Sequence, residues 1–403
     1  MNPWASLRGL RREIWILCTA TLINRAGTMV LPFLVLYLTV HMGFSATRAS
    51  LALSVYGVGS LISGPFAGLF CDRFGSLRVM KVALFWSGLL MLPLPLIKPY
   101  WAILAVIFAW SVIAEAFRPA NLASLSDFAR TDQRRAAFAL NRLSINLGMS
   151  IGPAAGGLLA AISFPALFGV NGVTTLLSAT VLALYLRSSR ALPEPGEEAE
   201  NSRPESGTRA IRNPRFIYFL AAFFPAAVVF FQLMSTMPLF LVRGLGLHES
   251  AFGLLLTVNT GIIILVEVPL NAAMGAWRHG RALALGALLV GAGFGAMVFA
   301  RGFWSTAATV VVWTFGEMIL LPSSAAFVAD LSPEGRRGEY MGFYQAVFSL
   351  SLISGPWLGT KVLEAWGGEA LWTMAFMAGA LSAILLWSAE TGMKPTSSGP
   401  GRG

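Results

Sequence analysis

The sequence predicts an all-α integral membrane protein, with twelve transmembrane helices in two pseudo-symmetric six-helix bundles. Three observations carry that prediction. The first is composition: of 403 residues, 56% are hydrophobic and 12% charged, with a mean hydropathy of +0.69. An average globular chain carries about 25% charged residues. The second is a series of twelve apolar stretches, each near or above the roughly 20 residues that carry a helix across a bilayer. The third is a repeat. Arg118-Pro119-Ala-Asn-Leu-Ala-Ser-Leu-Ser-Asp127 is followed by Arg134, Gly152-Pro153 and Gly156. It returns 203 residues later as Leu321-Pro322-Ser-Ser-Ala-Ala-Phe-Val-Ala-Asp330, followed by Arg337, Gly355-Pro356 and Gly359. A repeat of half the chain in so apolar a protein means two fused bundles, an architecture in which a substrate sits between the halves.

Residues 1–187 form the first bundle. Span 1 (about 14–40) follows Arg8, Arg11 and Arg12 but has no small-residue cleavage site, so it reads as a span and not a signal peptide. Asn24 and Arg25 lie near its middle. Span 2 (47–71) ends at Gly68 and Asp72, and span 3 (79–97) follows a short loop. Span 4 (100–126) carries Glu115 and Arg118, three apart on one helical face and so able to pair. Span 5 (136–161) presents Ser144, Gly148, Gly152 and Gly156 on one face, where small residues let helix backbones approach closely. A bend is expected at Pro153. Arg142, flanked by Asn141 and Asn146, can snorkel toward the nearer surface. Span 6 (164–187) completes the bundle.

Residues 188–213 hold Pro193, Pro195, Pro204 and five glutamates. This is the composition of a mobile linker. Residues 214–390 form the second bundle. Span 7 (214–242) has Phe223, Phe224, Phe230, Phe231, Met234 and Met237 around Gln232, which together suit an adaptable apolar binding wall. Span 8 (249–275) carries Glu267, span 9 (281–300) is apolar, and span 10 (304–330) carries Glu317. Span 11 (338–364) repeats the small-residue face as Ser351, Gly355 and Gly359, with a second bend expected at Pro356. Span 12 (369–388) precedes a Gly/Ser/Pro-rich tail, 391–403, expected to be disordered.

The net charge of +10 is topological. With the N-terminus in the cytoplasm, the inner tails and loops hold 21 Lys and Arg. The outer loops hold five: Arg48, Lys98, Arg243, Arg301 and Lys361. That asymmetry places both termini inside a cytoplasmic membrane and removes the case for a nucleic-acid partner. Cys18 and Cys71 read as small apolar residues. His41, His248 and His279 have no metal-ligand spacing, so neither metal nor cofactor is expected. No nucleophile–base constellation points to an enzyme.

The loop after span 2 reads Gly68-Leu-Phe-Cys-Asp72-Arg73-Phe-Gly75-Ser-Leu-Arg78. It resembles the loop signature of the major facilitator superfamily, with Ser76 in place of the usual basic residue. A decayed copy, Gly275-Ala-Trp-Arg278-His-Gly280-Arg281, follows span 8, with Ala276 at the acidic position. Span 5, Gly148-Met-Ser-Ile-Gly152-Pro153-Ala-Ala-Gly156-Gly157, resembles the antiporter signature of the drug/proton exporters in that family. The resemblance covers essentially the whole chain, but the family's span-4 arginine-glycine signature is absent. It implies alternating access, a monomer, and a cavity lined by spans 1, 4, 7 and 10. Asp72 would latch the inner side against the N-terminus of span 11, where a carboxylate is favoured, and Arg73 would pair with Asp127. The small faces of spans 5 and 11 would loosen and re-form as the halves rock.

Six ionisable residues lie inside spans: Arg25, Glu115, Arg118, Arg142, Glu267 and Glu317. Each costs about 2.5–3.5 kcal/mol on insertion scales, so each is expected to face a cavity or a partner. Glu115 has Arg118 one turn away, whereas Glu317 has no basic residue within four positions. Glu317 is therefore the carboxyl expected to load and release a proton. Glu267 is a second candidate, as gate or proton site. The reading is proton-coupled export of small amphipathic organic compounds across the lipid bilayer. Two alternatives stand beside it. A symporter or uniporter for an anionic metabolite would use Arg25 and Arg118; a membrane receptor or scaffold would show no substrate-dependent flux.

Overall fold

The computed structural model describes residues 9–130, 133–186, 208–274, 277–333 and 336–391. It is helical throughout, with no strand among the described residues. Ten segments are long and apolar enough to cross a membrane, and the bent pair Ala46–Gly64 and Phe66–Phe74 makes an eleventh. The last of the ten, Glu339–Ser388, is two helices joined at Gly367, whose φ of +82° no other residue type adopts easily. The spans are therefore twelve, and each lies where the sequence placed it.

Spans 1 and 7 are broken in the same way. Span 1 runs Arg12–Gly27, restarts at Val30–Leu36 and ends in a π-turn, Tyr37–His41. Pro32 has no N–H to give the carbonyl of Thr28, so the helix opens there. Asn171 of span 6 fills the gap: its Oδ1 accepts from the N–H groups of Met29 at 3.3 Å and Val30 at 3.2 Å. Span 7 runs Pro214–Phe230, tightens at Phe231–Met234 and ends in a π-turn, Phe240–Gly244. The 203-residue shift carries one π-turn onto the other.

The small-residue faces of spans 5 and 11 pack against these breaks. A Cβ at Gly148, Gly152 or Gly156 would meet Arg25, Thr28 or Met29 of span 1, and one at Gly355 or Gly359 would meet Val228 or Gln232 of span 7. Gly152, Gly156, Gly355 and Gly359 thus lie inside their own bundles, not at the seam expected to loosen. The seam lies one helical step round. Spans 5 and 8 cross where Gly157 meets Gly253, and spans 2 and 11 cross where Gly57 meets Ile353. Pro153 and Pro356 both sit inside continuous helices.

Most of the linker and the tail from residue 392 lie outside the described residues. The described end of the linker is fastened to span 11. Ala210 N–H donates to Glu339 at 3.1 Å, and Tyr340 donates its hydroxyl hydrogen to the carbonyl of Thr208 at 3.1 Å.

Candidate functional site

The halves meet at the end away from Asp72 and part at the end that carries it. At the closed end Arg243 donates to the carbonyl of Thr39 at 2.9 Å, Thr47 bonds Glu364, and Phe33 meets Phe252 edge-on. At the other end a cavity of about 590 Å³ opens between spans 5, 8 and 10. Arg142, Leu143 and Asn146 line it from span 5, and Ile263, Ile264, Glu267 and Met274 from span 8. Trp277 and His279 stand at its rim, and Pro322 and Ser323 close it from span 10. An adjoining lobe of about 320 Å³ reaches Glu317, Met318 and Leu321.

Two charged features face this space. The guanidinium of Arg142 pairs with Glu267 and so ties the first bundle to the second. Glu317 has no cationic partner among the described residues. Asn259 holds it, donating to Glu317 Oε2 at 2.9 Å and to Thr314 Oγ1 at 3.0 Å. The amide's two hydrogens are thereby used on span 10.

The first bundle contains the same device. The 203-residue shift maps Tyr56 onto Asn259 and Ser111 onto Thr314. Tyr56 donates its hydroxyl hydrogen to Glu115 Oε1 at 2.7 Å, and Ser111 donates to the carbonyl of Tyr56. In each half, a polar residue of the second helix reaches a glutamate of the fourth. Asn121–Asn141 and Ser324–Tyr344 are a further repeat-related pair, joining the fourth and fifth helices of each bundle.

Several sequence expectations are corrected. Glu115 does not pair with Arg118. The helix assignment of span 4 is interrupted at Ala116 alone, which keeps right-handed helical backbone, and the Glu115 carboxyl turns instead to the Tyr56 hydroxyl. Arg118 is exposed, while Arg25 lies 5.4 Å over the Phe117 ring with its Nε unbonded. Arg73 does not reach Asp127; it lies over the Phe74 ring, and Ser76 donates to Asp127 at 2.5 Å instead. The shifted counterpart of that contact is His279–Asp330 at 3.0 Å. Asp72 is exposed, with no hydrogen-bond or ion-pair partner among the described residues. Arg142 does not snorkel but bridges to the other half.

Asn24, Gln232 and Met237 are buried within their bundles and are not among the residues that line the cavity or its adjoining lobe. Asn24 donates to Thr175 at 3.5 Å. Gln232 gives its hydrogens to the carbonyls of Val228 and Gly355 and accepts from Thr236. Its amide plugs the break in span 7. Gly68 and Gly75 occupy the positions the loop signature gave them, and Ala276 lies outside the described residues. Tyr56, Asn259 and Asn271 were missed as site residues. Applying the repeat shift to every polar residue inside a span would have found the first two.

Comparison with known proteins agrees with this architecture. The sequence matches the Major Facilitator Superfamily over residues 17–266 and again over 233–401. Among curated relatives, an uncharacterised MFS-type transporter of Bacillus subtilis, YqjV, is 24% identical across 94% of this chain and 92% of its own length. A Na⁺, Li⁺, K⁺/H⁺ antiporter of Planococcus maritimus is 24% identical, across 88% and 89%. The class C tetracycline resistance protein of Escherichia coli is 25% identical, across 89% and 92%. Among solved structures, the nucleoside transporter NupG superposes with a TM-score of 0.77 at 12% identity, across 96% of this chain and all of that one. The D-xylose-proton symporter does so at 0.73 and 15%, across 93% of this chain and 96% of that one.

Proposed function

The chain belongs to the major facilitator superfamily and is a multi-span secondary transporter, and on that premise we propose that it exports small amphipathic organic compounds in exchange for protons. The single observation behind this reading is Glu317. It is the one of the three span carboxyls without a fixed competitor for its charge at the cavity: Arg142 holds Glu267, and Tyr56 holds Glu115 away in the first bundle. A carboxyl that faces a cavity through one neutral amide can exchange a proton as its access changes.

In this reading both termini lie in the cytoplasm, the cavity opens inward, and the protein acts as a monomer. Substrate enters along the apolar wall of Ile263, Ile264 and Met274. A proton arriving from outside neutralises Glu317 and favours return to the inward-facing form. Asp72, exposed in this form, engages the start of span 11 when the inner side shuts. Relatives named as a cation/proton antiporter and a tetracycline resistance protein support exchange and export.

Arg25, with an unbonded buried Nε, and the exposed Arg118 favour one second reading, symport or uniport of an anionic metabolite. Flux in proteoliposomes under an imposed pH gradient, screened over cationic, neutral and anionic compounds, separates the two. Protons moving against substrate support export, and protons moving with an anion support symport. No flux from folded protein would point to a receptor or scaffold.

A further inference from the structure

The Arg142–Glu267 pair is lopsided. The Arg142 side chain is 61% exposed and that of Glu267 only 12%. The acid is the more buried partner, with only 9% of the whole residue exposed. An exposed guanidinium on a long stem can leave its partner and be solvated at little cost. A carboxylate in a partly dry wall cannot lose its cation so cheaply. Glu267 therefore needs a cation more than Arg142 needs an anion.

The space beside the pair suits an organic cation. Ile263, Ile264 and Met274 give apolar surface, and Trp277, 47% exposed at the rim, gives an aromatic face. The nearest other charge in the adjoining lobe is again acidic, Glu317. With Arg142 swung into solvent, these two carboxylates are, among the described residues, the charged groups left lining the cavity, apart from His279 on the rim, which is bonded to Asp330.

We propose that the Glu267 carboxylate is the binding site for a hydrophobic organic monocation, and that Arg142 is a built-in competitor holding this site until such a cation displaces it. The inference rests on the export reading for its amphipathic substrate and adds the charge. Displacement also unties the ion pair that joins spans 5 and 8 at the open end.

Tetraphenylphosphonium and tetraphenylborate, alike in shape and opposite in charge, test it by equilibrium binding to purified protein in nanodiscs. Arg142→Gln should tighten tetraphenylphosphonium binding about fivefold, the scale of an exposed ion pair, and should not tighten tetraphenylborate. Arg142→Lys keeps a competing cation and should bind like the wild type. Glu267→Gln should weaken tetraphenylphosphonium at least about tenfold. Unchanged or weaker cation binding by folded Arg142→Gln overturns the proposal. So does an unaffected Glu267→Gln, or a wild type that prefers the anion. Should Arg142→Gln not fold, Glu267→Gln and the two probes on the wild type still decide. Equilibrium binding needs no proton gradient, so a failure of exchange in the flux assay would not imitate a failure here.

Discussion

Spans 4 and 10 carry the same proline at the same place in the repeat, yet the regular helix is interrupted for one residue in span 4 and runs through in span 10. Pro119 cannot donate to the carbonyl of Glu115, and the helix ending at Glu115 restarts only at Phe117. Pro322 likewise cannot donate to Met318, but the helix runs unbroken from Phe303 to Leu331. The difference lies in the neighbouring span. Asn271 of span 8 lends its amide to the carbonyl of Met318 at 3.5 Å. Its shifted counterpart in span 2 is Gly68, which has no side chain to lend. A helix in lipid tolerates a proline where a neighbour re-satisfies the freed carbonyl.

The carboxyls follow the helices. Beside the interruption at Ala116, Glu115 is taken by Tyr56, within electrostatic reach of Arg25. Where span 10 continues, Glu317 faces a cavity and keeps only a neutral amide. One repeat unit thus makes a cluster of two arginines around one hydrogen-bonded carboxyl in the first bundle and an exchangeable acid in the second.

Four substitutions test that contrast, the largest effect first. Glu317→Gln should lower gradient-driven flux at least about a hundredfold while substrate binding survives; full coupled flux from this variant would reverse the assignment of roles. Glu115→Gln should act on folding instead. It removes the one carboxylate near Arg25 and Arg118 and should cost about 3 kcal/mol, read as lower folded yield and melting temperature. Loss of proton coupling at normal stability would show that the first bundle carries the proton.

Asn271→Gly gives span 8 the residue of span 2. It should cost about 1–3 kcal/mol by leaving the Met318 carbonyl unbonded, and faster hydrogen exchange should be confined to span 10 around Pro322. Uniform exchange would mean that Asn271 does not hold the helix together. His279→Ser, which copies Ser76 into the second bundle, should change stability by less than about 1 kcal/mol, because the pair with Asp330 is exposed. A melting shift of many degrees would give that contact a weight its exposure argues against.

The sequence by itself determined twelve spans, the two bundles and the candidate carboxyls. Lipid permits few ways to satisfy a backbone, and apolar length and a 203-residue repeat are local enough to read directly. It also picked out Glu317 as lacking a basic neighbour within four positions of its own helix, and the structure adds no ion-pair partner from other helices among the described residues. What the sequence could not decide was partnership between spans. Arg142 finding Glu267, Tyr56 taking Glu115, Gln232 plugging span 7 and Asn271 mending span 10 all join residues at least four positions apart, most of them far apart in the chain. The partner of a polar group in a dry interior is set by which helices touch, and at what rotation. A one-residue step turns a helix by about 100°, which is why Gly156 packs inside its bundle while Gly157 stands at the seam.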